Sequence, residues 1–144
     1  MTGGTFGYTI DMIKDNKNNL RAENPNYTVV FYDLPDGTEP VAAFLEGQSL
    51  KMSAKILRTI GLLEEFGPSL REPYSALLDD GIFELRTKIG SDITRVLYFF
   101  IEGKKVILTH GFVKKTQVTP PEEIDKAKRY RKDYLGRLND KGGK

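Results

Sequence analysis

Between positions 86 and 115 the chain carries Arg86, Arg95, His110, Lys114 and Lys115. Cations of these types can clamp a phosphodiester, stabilise charge growing on its oxygens and protonate a leaving group. RNA brings its own nucleophile in the 2′-hydroxyl, so a protein that cuts it need only position that group and manage protons and charge. Such a reaction calls for no metal and no cofactor. Each residue also has a plainer use. Arg86 can pair with Glu84 or Glu102 across strands, His110 can be a hydrogen-bonded core residue, and Lys114 and Lys115 can be a solvated strand end. Tyr130 and Tyr134 can stack bases or pack a helix. Asp79 and Asp80 are adjacent ahead of a strand, where turn formation is the ordinary role. The sequence holds no nucleotide-binding glycine loop and no serine-based triad.

The elements that must position these cations are three consecutive strands. In Ile82 to Lys88 polar and apolar residues alternate, which puts Phe83 and Leu85 on one face and Glu84, Arg86 and Lys88 on the other. After a Gly90-Ser91-Asp92 turn, Ile93 to Ile101 is almost wholly apolar, as in a central strand covered on both sides, with Arg95 its one charge. A short Glu102-Gly103-Lys104 connection leads to a third strand, Lys105 to Val113. Connections this short predict an antiparallel meander.

Upstream, residues 1–26 read as an N-terminal extension of tail-like composition. Tyr27 to Tyr32 reads as a further strand of the same sheet. Pro40 starts a short helix capped by Asp36 or Thr38 and ended by Gly47. Ser49 precedes a longer helix, Leu50 to Phe66, whose Ile56, Leu57, Ile60, Leu63 and Phe66 form one buried stripe. The long crossover between the first strand and the meander allows parallel pairing and a mixed sheet. Residues 69–80 read as a connection anchored by Pro73, Leu77 and Leu78. Thr119 and Glu122 have capping-box spacing ahead of a last helix, Pro121 to Leu138. Ile124, Ala127, Tyr134, Leu135 and Leu138 form its packing side, which leaves Lys126, Arg129, Lys132 and Arg137 toward water or a phosphate backbone.

At 144 residues the chain fits one domain. It has no cysteine and one histidine, which excludes a disulfide framework, a thiolate metal site and a multi-histidine centre. No apolar run approaches the roughly 18 residues of a membrane span; no export signal is recognisable, and a cytoplasmic protein is the simplest reading. The net charge of +2 conceals an asymmetry: residues 1–103 hold 10 Lys and Arg against 15 Asp and Glu, residues 104–144 hold 12 against 5. An acidic body with a basic last strand and helix points to an anionic partner, nucleic acid being the commonest.

The segments YDLPDGTEPVAAFL, LLDDGIFELR, ITRVLYFF and VILTHGFVKKTQVTPPEEIDKAKRY resemble, in that order, the HigB-like branch of the RelE/ParE toxin superfamily, including its phage-derived relatives. The resemblance covers about residues 27–136. It implies an α+β, RelE-like small fold: a strand, a two-helix hairpin, a three-strand antiparallel meander and a C-terminal helix, with the toxin domain at 27–138 and a disordered tail at 139–144. The N-terminal extension departs from the usual compact pattern. The resemblance further implies the toxin of a two-component toxin–antitoxin module, an endoribonuclease that cuts mRNA on the ribosome and is held inactive by a small helix-turn-helix antitoxin. By position in the matching motifs, Arg86 and Arg95 correspond to the basic sheet residues that bind phosphate and stabilise the transition state, and Lys114 and Lys115 to the basic strand-end pair. Proton transfer falls to His110 or Tyr134, with Lys114 a further candidate. Lys88, Lys115, Lys126, Arg129 and Lys132 are the expected RNA-binding residues. Two other outcomes remain open on the same resemblance: a non-catalytic inhibitor of DNA gyrase, as on the ParE side of the superfamily, and an inactive phage-derived remnant that only binds RNA or an antitoxin.

Overall fold

A computed structural model describes residues 26–142; the expectations for the N-terminal extension up to residue 25, and for residues 143 and 144, fall outside them. Among the described residues, five strands and three α-helices make three layers. β1 (Thr28–Phe31) leads through α1 (Pro40–Glu46) and α2 (Leu50–Phe66) to β2 (Ser75–Asp79), β3 (Ile82–Ile89), β4 (Asp92–Ile101), β5 (Lys105–Val113) and α3 (Pro121–Gly142). The sheet order is β1-β5-β4-β3-β2. β1 runs parallel to β5, as the intervening helical crossover permits, and the other neighbours are antiparallel.

α2 is a helix because Ser49 caps it, accepting a hydrogen bond from Met52 N at 3.0 Å, and because its apolar residues recur on one face. That face, with Ile56, Leu57, Ile60 and Leu63, packs with Val41 and Leu45 of α1 onto Leu85, Val96, Tyr98, Val106 and Leu108 of the sheet. Phe66, expected in the same stripe, is largely exposed, since the chain turns away at Gly67. α1 begins behind Glu39 with no side-chain cap. The expected caps bond within the preceding turn instead, where Thr38 N donates to Asp36 Oδ1 at 2.9 Å.

The opposite face of the sheet carries Ile82, Leu97, Phe99 and Ile107, and α3 closes over it with Ala127, Tyr130 and Tyr134. Both sides of β4 are therefore covered, in keeping with its apolar run from Val96 to Ile101. Ion pairs pin α3 along its length. Lys128 and Arg131 reach Asp79 and Asp80 at 2.6 and 2.7 Å, and Arg137, steadied by Asp133 one turn earlier in the same helix at 2.8 Å, reaches the Asp33 carboxylate at 3.5 Å and its carbonyl. Asp133 also accepts from the Tyr32 hydroxyl at 2.6 Å.

Several sequence expectations change here. Residues 75–79 form a strand, because the tight Asp80-Gly81 turn folds them back along β3 with a bulge near Leu77. Leu77 is exposed at the sheet edge and anchors nothing, whereas Leu78 packs under α3. α3 continues to Gly142, past Leu138, and Leu135 and Leu138 are exposed while Tyr130 supplies packing. Arg137 is engaged by Asp33 and Asp133 rather than pointing to water.

Candidate phosphate-binding site

Period-two alternation places Glu84, Arg86 and Lys88 on the face of β3 turned away from α2. The register then decides what faces them. Arg86 is the direct cross-strand partner of Arg95, and Arg95 in turn is the partner of Phe112 on β5. Two like charges at opposed positions repel, and the fold answers with one carboxylate. Glu84, only 2% exposed, accepts from Arg86 Nε at 2.8 Å and stands 3.3 Å from Arg95 Nε. The Thr119 hydroxyl donates to the same carboxylate, tying the lead-in of α3 to the site.

Arg95 is 7% exposed, and its Nε, though close to Glu84, is outside hydrogen-bonding geometry. Burial pulls its pKa down and the Glu84 charge pulls it back up; a guanidinium in such a place stays charged. Of its five N–H donors, one is hydrogen-bonded among the described residues, from Nη1 to the Thr94 carbonyl at 3.1 Å. Arg86 has a second, exposed carboxylate nearby, Glu72 at 4.0 Å.

Lys114 joins this pair from the end of β5. Its backbone N–H donates to the Ile93 carbonyl at 2.8 Å and its ammonium to the Gln117 carbonyl at 2.6 Å. Partial burial lowers its pKa, and the nearby Arg95 and Arg86 charges lower it further, against an opposing contribution from Glu84. Arg86 and Arg95 thus share the buried Glu84 carboxylate, and with Lys114 close enough to feel all three charges the group carries a surplus of positive charge. Beside them a cleft of about 540 Å³ runs along the part of β3 that extends beyond β2. Lys55, Thr59, Pro73, Tyr74, Lys88 and Ile93 are among its lining residues, with both arginines.

The other expected site residues stand elsewhere. His110 is on the same sheet face but 3% exposed beneath α3. Its Nε2 lies 2.9 Å from Glu123 Oε1 and its Nδ1 3.0 Å from the Thr109 hydroxyl, with Tyr130 edge-on to the ring. Burial pushes its pKa down to about 4, outweighing Glu123. Tyr134 packs edge-on to Phe99, four positions from Arg95 along β4, or roughly 13 Å at the strand rise; burial and the Asp33 charge raise its pKa. Lys115 is exposed just past β5. Lys126, Arg129 and Lys132 project from α3, the last two beside a shallow hollow shared with Asp133 and Arg137.

Sequence reasoning named Glu84 only as one possible partner of Arg86. Its role toward both arginines, and the presence of Thr119, Tyr74 and Lys55 around the site, depend on cross-strand and crossover contacts that spacing does not reveal. Among the described residues no group of three or more His, Asp or Glu side chains is arranged to hold a metal ion, and no helix is long and apolar enough to cross a membrane.

A family model described as phage-derived protein Gp49-like matches residues 43–132. The matched span runs from α1 into α3 and includes Glu84, Arg86, Arg95 and Lys114. No curated protein matches the chain.

Proposed function

This chain belongs to the Gp49-like family of phage-derived proteins, a family of RelE/HigB-type toxin relatives, and we propose that it is a toxin whose activity is cleavage of mRNA on the ribosome. The observation that carries this reading is the opposed pair Arg86 and Arg95 with Lys114 beside it. Like charges held together at one carboxylate cost stability, and an anion added to the group relieves that cost. A phosphodiester is the anion that planar guanidinium groups fit best.

In this mechanism Arg86 and the spare donors of Arg95 hold the two non-bridging oxygens. The 2′-oxygen attacks phosphorus as its proton leaves to solvent, and the bond to the 5′-oxygen breaks. Lys114 gives that oxygen a proton. A lowered pKa makes an ammonium a better acid, and Lys114 is the candidate donor that adjoins the arginines. His110 serves the reaction indirectly, by fixing Glu123 and the first turn of α3. The products are a 2′,3′-cyclic phosphate and a free 5′-hydroxyl. Lys88 and Lys115 extend the positive surface along the RNA, and Lys126, Arg129 and Lys132 meet more distant phosphates. A small helix-turn-helix antitoxin in the cytoplasm is the expected restraint, and covering the arginine pair is the simplest way for it to act.

Induction of the protein in cells, followed by primer extension on transcripts and a gyrase supercoiling assay in parallel, tests the reading. New mRNA ends with supercoiling intact support it. Lost supercoiling without new ends replaces it with the gyrase-inhibitor reading, and RNA affinity without cleavage with that of an inactive remnant.

A further inference from the structure

The cleft beside the arginine pair is larger than one phosphate requires. Its volume of about 540 Å³ lies in the range of small-molecule sites, and its walls are of two kinds. Lys55 from α2, Arg86 and Lys88 from β3 and Arg95 from β4 supply cations, and among the described residues no carboxylate lines it, Glu72 standing outside it 4.0 Å from Arg86. Pro73, Tyr74 and Ile93 supply apolar surface. Tyr74 is 45% exposed, yet its backbone is fixed on both sides: its N–H donates to the Arg71 carbonyl at 3.0 Å and its carbonyl accepts from Arg86 N at 2.8 Å. The main chain is therefore fixed next to the proposed phosphate grip, and from there Tyr74 lines the cleft. Lys55 reaches across from α2 to the Lys88 carbonyl at 2.5 Å, which uses one of its three donors.

We infer that this cleft is a nucleotide subsite: it takes the base adjoining the gripped phosphate, stacked on Tyr74, with Lys55 on the neighbouring phosphate. The inference rests on the RNA-cleaving reading and adds to it residues that seat the nucleotide beside the cut. An aromatic face beside cations suits a base joined to a phosphate. An acidic peptide would use the cations and be indifferent to the ring.

The test is a cycle in a reconstituted translation system. Wild type and Tyr74→Ala are each given a ribosome-bound mRNA with either a normal or an abasic nucleotide beside the mapped cut. Stacking predicts that removing the ring or removing the base slows wild-type cleavage by about tenfold. Removing both then costs little more than removing one, Tyr74→Phe cuts like wild type, and Lys55→Ala raises KM more than it lowers kcat. If the two losses multiply instead, or if Tyr74→Ala cuts at the wild-type rate, the subsite is wrong while the arginine grip stands. If wild-type protein makes no cut at all, the subsite and the RNA-cleaving reading fall together.

Discussion

Arg86 and Arg95 face each other across β3 and β4, and Glu84 stands against both, 2.8 Å from one Nε and 3.3 Å from the other. One negative charge between two positive ones leaves a net cation inside a largely buried cluster. Arrangements of this kind are weak sources of stability, because desolvation offsets the attraction. Their persistence is easier to understand if an anion completes the set, and Lys114 adds a further cation to that demand.

Replacing Glu84 by Gln keeps the shape and removes the charge. Arg95 is then a buried cation with no counter-charge, and breaking a pair of this type costs about 3–5 kcal/mol. Urea unfolding of Glu84→Gln is expected to show a loss of that size, with mRNA cleavage down at least tenfold as the arginines lose their alignment. Adding Arg95→Met should return a good part of the stability and none of the cleavage. A Glu84→Gln protein as stable as wild type would show that the carboxylate is not holding the pair.

His110 gives the fold an acid limit. Its pKa falls from the ordinary 6.5 to about 4 on folding, because burial disfavours the charged ring. The unfolded chain therefore binds the proton more tightly than the folded one. Stability from this group is full above pH 6.5 and declines as pH falls toward 4, by a total on the order of 3 kcal/mol. Urea midpoints measured between pH 7 and pH 4.5 should fall in wild type and fall less in His110→Gln, which cannot titrate. Equal slopes in the two proteins would contradict the assignment.

Gly111 on β5 sits under the ring of Phe44, and a Cβ there would come within 2.5 Å of it. Gly111→Ala should cost about 1–3 kcal/mol, the usual penalty of overpacking a core. Phe44→Leu in the same chain should recover part of that loss, so the two changes are non-additive. Thermal unfolding of the two single variants and the double variant measures the coupling.

Much of this architecture is written in local patterns. The alternation at Ile82 to Lys88 places Glu84, Arg86 and Lys88 on one face, and they lie together there. The Leu50 to Phe66 helix has the expected bounds because its cap, stripe and terminator agree. β2 was hidden because Ser75–Asp79 is short, mixed in character and bounded by turn residues, so only its pairing with β3 defines it. The opposition of Arg86 and Arg95 was equally hidden, since a one-residue slip of register would have turned one of them to the α2 side. His110 illustrates a different limit. Its residue type allows acid–base work, but whether solvent reaches it is decided by how α3 lies across the sheet.

The most direct measurement of the phosphate grip is the rate of new 5′-end formation on ribosome-bound mRNA for wild type, Arg86→Ala and Arg95→Ala, with unfolding midpoints recorded alongside. The expected result is cleavage by wild type and a loss of about 10²-fold or more in each variant, with both variants folded at the assay temperature. Folded variants that cut at the wild-type rate would contradict the account.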